Sequence, residues 1–152
     1  METIDKQKAA RVWERVQGQP RQATDPETLL PLIAGELTDA ATYLQLARQL
    51  SGQQSAVLRR LYEQEQSHAA CLKGIYALLT GQHPAVRAMQ GEKGTVGAVL
   101  RRCYGREMQS LAAYEAKSTD PEYGQVFARL ADQEREHCHI LLTLIGKLEK
   151  NK

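Results

Sequence analysis

Residues 63–72 read EQEQSHAACL, and residues 132–141 read DQEREHCHIL. Each stretch carries a glutamate three residues ahead of a histidine: Glu65 with His68, and Glu134 with His137. The chain has 4 histidines, so half of them share one local setting. A spacing of three is close to one helical turn and stacks the carboxylate and the imidazole on one helix face. That face is the apolar one. Leu58, Leu61, Glu65, His68, Leu72, Ile75 and Leu79 advance by threes and fours, and so do Phe127, Leu130, Glu134, His137, Leu141, Leu144 and Leu148. Ionisable groups on a stripe destined for the core are costly unless something compensates their charge.

The same period runs through most of the chain, and alternating strand patterns are absent. The spacing predicts a short helix at about 3–17 and long ones at about 26–51, 54–80, 95–118 and 121–149. The tetrapeptide TDPE occurs at Thr24–Glu27 and again at Thr119–Glu122, supplying a cap, an early proline and a first-turn acid to the helix that follows. Pro31 falls early in its helix, where a bend is expected. Four long amphipathic helices with short turns describe an all-α four-helix bundle over 26–152, preceded by an N-terminal helix and linker over 1–25.

Tight turns near Gly52 and Asp120 make each flanking pair antiparallel. The segment GQHPAVRAMQGEK (residues 81–93) carries no helical stripe. Its thirteen residues reach about 43 Å when extended, against about 39 Å for a helix of about 26 residues. It is therefore read as a crossover running the length of the bundle and starting the second pair at the same end as the first. The two halves match: ELTDAATY (36–43) aligns with EMQSLAAY (107–114), and RLYEQEQSH (60–68) with RLADQEREH (129–137). Each half holds one lone glutamate, Glu36 or Glu107, followed by a tyrosine seven residues on, Tyr43 or Tyr114.

Depth can be read as well as phase. The midpoint between Glu36 and Glu65 falls at the first tight turn, and that between Glu107 and Glu134 at the second. Antiparallel hairpins then bring all four acids to one level, about halfway along the bundle. Four buried carboxylates repel one another and lose their hydration, at several kcal/mol each. Protonation is one remedy and bound cations are the other. Two divalent ions bring four positive charges against four negative ones, so Glu36, Glu65, His68, Glu107, Glu134 and His137 are expected to hold a dinuclear metal site. His83 and His139 are read as ordinary polar residues.

Other functions are disfavoured. Charged residues make up 25% of the chain with a formal net charge of +2, and the basic residues are scattered, so nucleic acid is not an expected partner. No apolar run approaches the ~18 residues of a membrane span, and METIDKQKAARVWERVQ lacks the apolar centre of a signal peptide. The expectation is a soluble cytoplasmic protein. Cys71, Cys103 and Cys138 form no CxxC pair and are read as small buried hydrophobes.

A lone Glu, a Glu-x-x-His, a second lone Glu and a second Glu-x-x-His on four helices resemble the dinuclear carboxylate pattern of ferritin-like bundles. The resemblance is closest to the rubrerythrins and covers about residues 26–149, through GELTDAATYLQLA, EQSH, GREMQSLAAYE and EREH. It implies a ferritin-like fold and a non-haem di-iron oxidoreductase that reduces hydrogen peroxide or oxygen. It implies two iron ions, with manganese as the other candidate, held by the six residues named above, with Glu65 and Glu134 as bridges. Tyr43 and Tyr114 match the family's tyrosines near the metals and are the candidate catalytic residues. The family's additional glutamate, three residues after the third-helix acid, is Ser110 here. Asp39, at the equivalent place in the first half, is expected to approach the metals instead. These 152 residues contain no rubredoxin-type CxxC pair, so the electron donor is expected to be a separate rubredoxin-like protein. The N-terminal helix with Trp13 is expected to cover the bundle or to join two chains into a homodimer. Iron oxidation and storage, simple metal binding and oxygen-dependent hydroxylation are the alternative functions.

Overall fold

Apolar periodicity and sparse helix breakers produce four long helices in the computed structural model, which describes residues 22–150. They are α1 (Leu29–Gln49), α2 (Gly52–Thr80), α3 (Val96–Lys117) and α4 (Gly124–Lys150). A single 3-10 turn, Pro26–Thr28, leads into α1. The helix expected at 3–17, with Trp13, lies outside the described residues. Among those residues no helix is long and apolar enough to cross a membrane.

The boundaries follow local chemistry. In the first TDPE it is Asp25 that caps, accepting from the Glu27 amide at 3.0 Å. In the second, Asp120 Oδ1 accepts from the Glu122 amide at 2.8 Å and the Tyr123 amide at 2.7 Å. Those bonds hold 121–123 as a turn, so α4 starts at Gly124 rather than at the expected 121. Thr95 caps α3 by accepting from the Ala98 amide at 3.2 Å. Gly81 closes α2 at φ +73°, a left-handed conformation that costs a glycine little. Pro31 sits in the first turn of α1, where its missing N–H forfeits no helical bond.

The helices pack as two antiparallel pairs, α1 with α2 and α3 with α4. Two apolar clusters fill the bundle. One joins Tyr43, Leu46, Leu58 and Leu61 to Val99, Leu100, Cys103, Leu141 and Leu144. The other joins Leu29, Ile33, Leu72 and Ile75 to Tyr114, Phe127, Leu130 and Ala131. The start of α3 therefore lies beside the end of α1, and the start of α4 beside the start of α1. The second pair begins at the end where the first pair turns, opposite to the sequence expectation. The reason is geometric: a connection running the full length from the end of α2 finishes where α2 began.

The crossover does run that length. Val86 packs on the cluster at the end of α2. Further on, the Met89 amide donates to Thr38 Oγ1 at 2.9 Å, and Arg102 Nε to Glu92 at 2.8 Å. The two hairpins are thus related by an approximate two-fold axis perpendicular to the bundle. Residues of α3 correspond to those of α1 at an offset of 71, and residues of α4 to those of α2 at an offset of 69.

Candidate metal centre

Between the two apolar clusters lies a polar layer. Glu36, Glu65, His68, Glu107, Glu134 and His137 are all buried, Glu65 and Glu134 completely. Each helix contributes to it where its stripe passes from one cluster to the other, so the layer follows directly from the spacing of acids among leucines.

The imidazoles of His68 and His137 stack at 5.4 Å between centroids and 15° between planes. Their Nδ1 atoms point into the layer. His68 Nδ1 lies 3.1 Å from Glu134, 3.4 Å from Glu65 and 3.6 Å from Glu36. His137 Nδ1 lies 2.7 Å from Glu65, 3.0 Å from Glu134 and 3.6 Å from Glu107. Glu65, His68, Glu134 and His137 each offer one ligand atom, and these atoms lie within 4.8 Å of one another, a group able to hold a metal ion. Glu36 and Glu107 flank this group on opposite sides, each beside one histidine.

Several polar atoms of the layer lack a hydrogen-bond partner: both oxygens of Glu65, Oε2 of Glu107, Oε2 of Glu134 and Nδ1 of His137. His137 Nδ1 and Glu65 Oε1 are close but not aligned as donor and acceptor. Buried polar atoms without partners are rare because each costs about 1–3 kcal/mol. Oxygen and nitrogen atoms converging in this way suit divalent cations once their protons are lost.

Protonation shows how the same layer is balanced without metal. Burial pushes Glu65 well above the usual carboxylate range, and the charges of Glu36 and Glu107 push the same way. Burial likewise takes Glu134 up to about 9. Glu36 and Glu107 resist the burial penalty. Glu36 falls below its ordinary value through the adjacent Glu65 and His68, and Glu107 falls to about 2 through the adjacent Glu134 and His137. Burial disfavours charged imidazole, but the surrounding carboxylates raise His137 to about 12 and His68 still further. These directions favour protons on Glu65, Glu134 and both imidazoles beside ionised Glu36 and Glu107, so opposite charges offset one another in the metal-free layer.

The tyrosines cross between the hairpins. Tyr43 Oη, on α1, donates to Glu107 on α3, and Tyr114 Oη, on α3, donates to Glu36 on α1. Both rings are fully buried. Burial first, then the adjacent glutamates, holds both phenols far above their ordinary pKa, so they stay donors.

Asp39, the acid expected to approach the metals, is paired with a cation. Its buried carboxylate accepts from Arg106 Nε at 2.5 Å, and the same guanidinium reaches Glu92 of the crossover. Asp39 is one methylene shorter than a glutamate, and Arg106 faces it directly from α3. Burial raises Asp39 to about 7 even though Arg106 opposes the shift. Ser110 is half-buried, and His83 and His139 are exposed. The three cysteines are free; Cys103 and Cys138 are buried and Cys71 half-buried.

Sequence reasoning passed over two residues. His137 Nε2 meets Gln64 Oε1 at 2.7 Å, and His68 Nε2 meets Gln133 Oε1 at 2.7 Å. Their signal was present, since a glutamine precedes the glutamate of each Glu-x-x-His. Arg106 carried no such signal. Neither a protein-family model nor a curated protein matches this chain.

Proposed function

We propose that this protein is a rubrerythrin-like member of the ferritin-like dinuclear carboxylate class, a non-haem di-iron oxidoreductase. In this reading it reduces hydrogen peroxide, or oxygen, with electrons from a separate redox protein. The observation that carries the reading is the buried layer of four glutamates and two histidines whose inward-facing atoms lack partners.

Glu65 and Glu134, at the centre and within reach of both imidazoles, would hold the ions from the middle of the layer. Glu36, His68, Glu107 and His137 would supply the remaining ligands. Two ferrous ions bound there would supply Lewis acidity and the two electrons that reductive cleavage of an O–O bond requires. The protein's part is to hold charge and protons. Tyr43 and Tyr114 fix the orientation of Glu107 and Glu36 and keep a phenolic proton at the edge of the layer. The apolar clusters on either side limit water in the site, which strengthens every electrostatic contact within it. Asp39 and Arg106 close one flank without adding net charge.

The test is anaerobic loading with ferrous iron, followed by rapid mixing with hydrogen peroxide and, separately, with oxygen. Oxidation of the loaded protein by peroxide, faster than by oxygen and with about one peroxide consumed per pair of ions, is expected. A loaded protein inert to both oxidants would contradict the reading. Elution from a sizing column as a closed cage of many subunits would favour storage.

A further inference from the structure

The outer edges of the two imidazoles end on uncharged partners. His137 Nε2 meets Gln64 and His68 Nε2 meets Gln133, both at 2.7 Å. The wiring is reciprocal. Gln64 precedes Glu65 on α2 but serves the histidine of α4, and Gln133 precedes Glu134 on α4 but serves the histidine of α2. The histidines are buried, whereas Gln64 is exposed and Gln133 half-buried. Each amide therefore stands between a buried imidazole edge and the surface.

The chemistry of imidazole fixes the direction of these bonds once Nδ1 is a ligand. A neutral ring has one N–H, and a ring whose Nδ1 lone pair is given to a metal must carry that hydrogen on Nε2. The partner must then accept, so each glutamine presents its carbonyl oxygen. A carboxylate there would pull the proton and make the ring a stronger donor to the metal. An amide oxygen holds the ring in place with a weaker pull.

Resting on the metal-centre reading, we infer that Gln64 and Gln133 are positioning residues that hold His137 and His68, each on the opposite hairpin, as Nε2–H rings with Nδ1 turned to the glutamates. Each glutamine thereby ties its own helix to the metal ligand of the other. Losing one should loosen the distant histidine and leave the histidine on its own helix undisturbed.

Cobalt(II) gives a readout independent of turnover, because its unpaired electrons move ligand imidazole N–H signals far outside the ordinary proton spectrum. The cobalt-loaded parent protein should show two such signals, lost in deuterium oxide only slowly. Gln64→Ala should speed exchange of one signal, and Gln133→Ala of the other. Each should weaken cobalt binding by about tenfold or more. Both sites lie at the helix surface, where alanine favours the helix, so helix content by circular dichroism should not change. Gln64→Glu should restore slow exchange with a displaced signal, which loss of packing alone would not produce. Two slowly exchanging signals in the double alanine variant, at parental affinity, would overturn the assignment alone. A parent protein that binds no cobalt would overturn the metal reading, and this inference with it.

Discussion

The two flanks of the α1–α3 seam differ sharply although the approximate two-fold axis relates them. On one flank Asp39 pairs with Arg106, Arg106 also reaches Glu92, and Gln45 Nε2 donates to the Glu92 carbonyl at 3.4 Å. The crossover lies along this flank. At the corresponding positions on the other flank stand Ser110, Gly35 and Ala116. There the seam forms a groove of about 450 Å³ bordered by Thr28, Pro31, Leu32, Ala113 and Lys117. Between the flanks the symmetry is close: both lone glutamates are pulled below their ordinary pKa, both central ones are pushed above it, and each tyrosine bonds the opposite lone glutamate. The lesson is that the polar layer depends on matched partners from both hairpins, whereas the flanks are free to differ: charge pairs and the crossover line one, and small residues leave a groove along the other.

Breaking the symmetric layer should have the largest effect. Glu65→Ala or Glu134→Ala is expected to lower metal content from about two ions per chain to one or none, measured by elemental analysis. Full loading of both variants would remove these glutamates from the ligand set.

Stability against pH should come next. In the metal-free protein Glu65 and Glu134 bind protons more tightly when folded than when unfolded, and so do both histidines. A group with a raised folded pKa stabilises below its ordinary value, and that contribution is lost as pH rises toward the folded value. Melting of the metal-free protein should therefore fall by roughly 5 °C or more between pH 5 and pH 8. Glu107, lowered to about 2, works the other way only in acid, below the usual carboxylate range. The metal-loaded protein should melt higher at pH 8 than at pH 5, because protons compete with metal for the same atoms. Parallel curves for the two forms would mean that the layer does not exchange protons for metal.

The flanks offer a smaller and more direct comparison. Arg106→Ala leaves buried Asp39 without its cation and should cost about 2–3 kcal/mol in denaturant unfolding, less than a fully buried pair because Arg106 is partly exposed. Gly35→Ala, at the position related to Arg106, adds a methyl where the nearest atoms lie beyond 4 Å. It should stabilise by about 0.5–1 kcal/mol, since alanine suits a helix interior better than glycine. Equal effects of the two substitutions would erase the distinction between the flanks.

Much of the layer was legible because it depends on helical phase and on distance from a turn. Glu36, Glu65, Glu107 and Glu134 fall at one depth when each hairpin is folded at its tight turn, and the buried layer has that arrangement. The direction of the second hairpin is not legible from the length of the crossover alone, because it depends on the end to which a full-length connection delivers the chain. Asp39 was assigned from its spacing to Glu36. Its partner comes from α3, which spacing along α1 does not encode. The crosswise tyrosine bonds escaped for the same reason, since each tyrosine lies seven residues from one glutamate and bonds the other. Gln64 and Gln133 repeat in register and were readable, but an amide on a polar face attracts no notice until its reach across the bundle is known.

In the proposed centre six buried side chains hold a pair of metal ions, and four of the six give up protons to do so. Losing one proton each from Glu65, Glu134, His68 and His137 gives about four in all. Calorimetric titration of the metal-free protein with ferrous iron, without oxygen at pH 7 and in buffers of different ionisation heat, counts ions and protons together. About two ions bound per chain with about four protons released is the predicted result. Binding without proton release, or no binding at all, would contradict it.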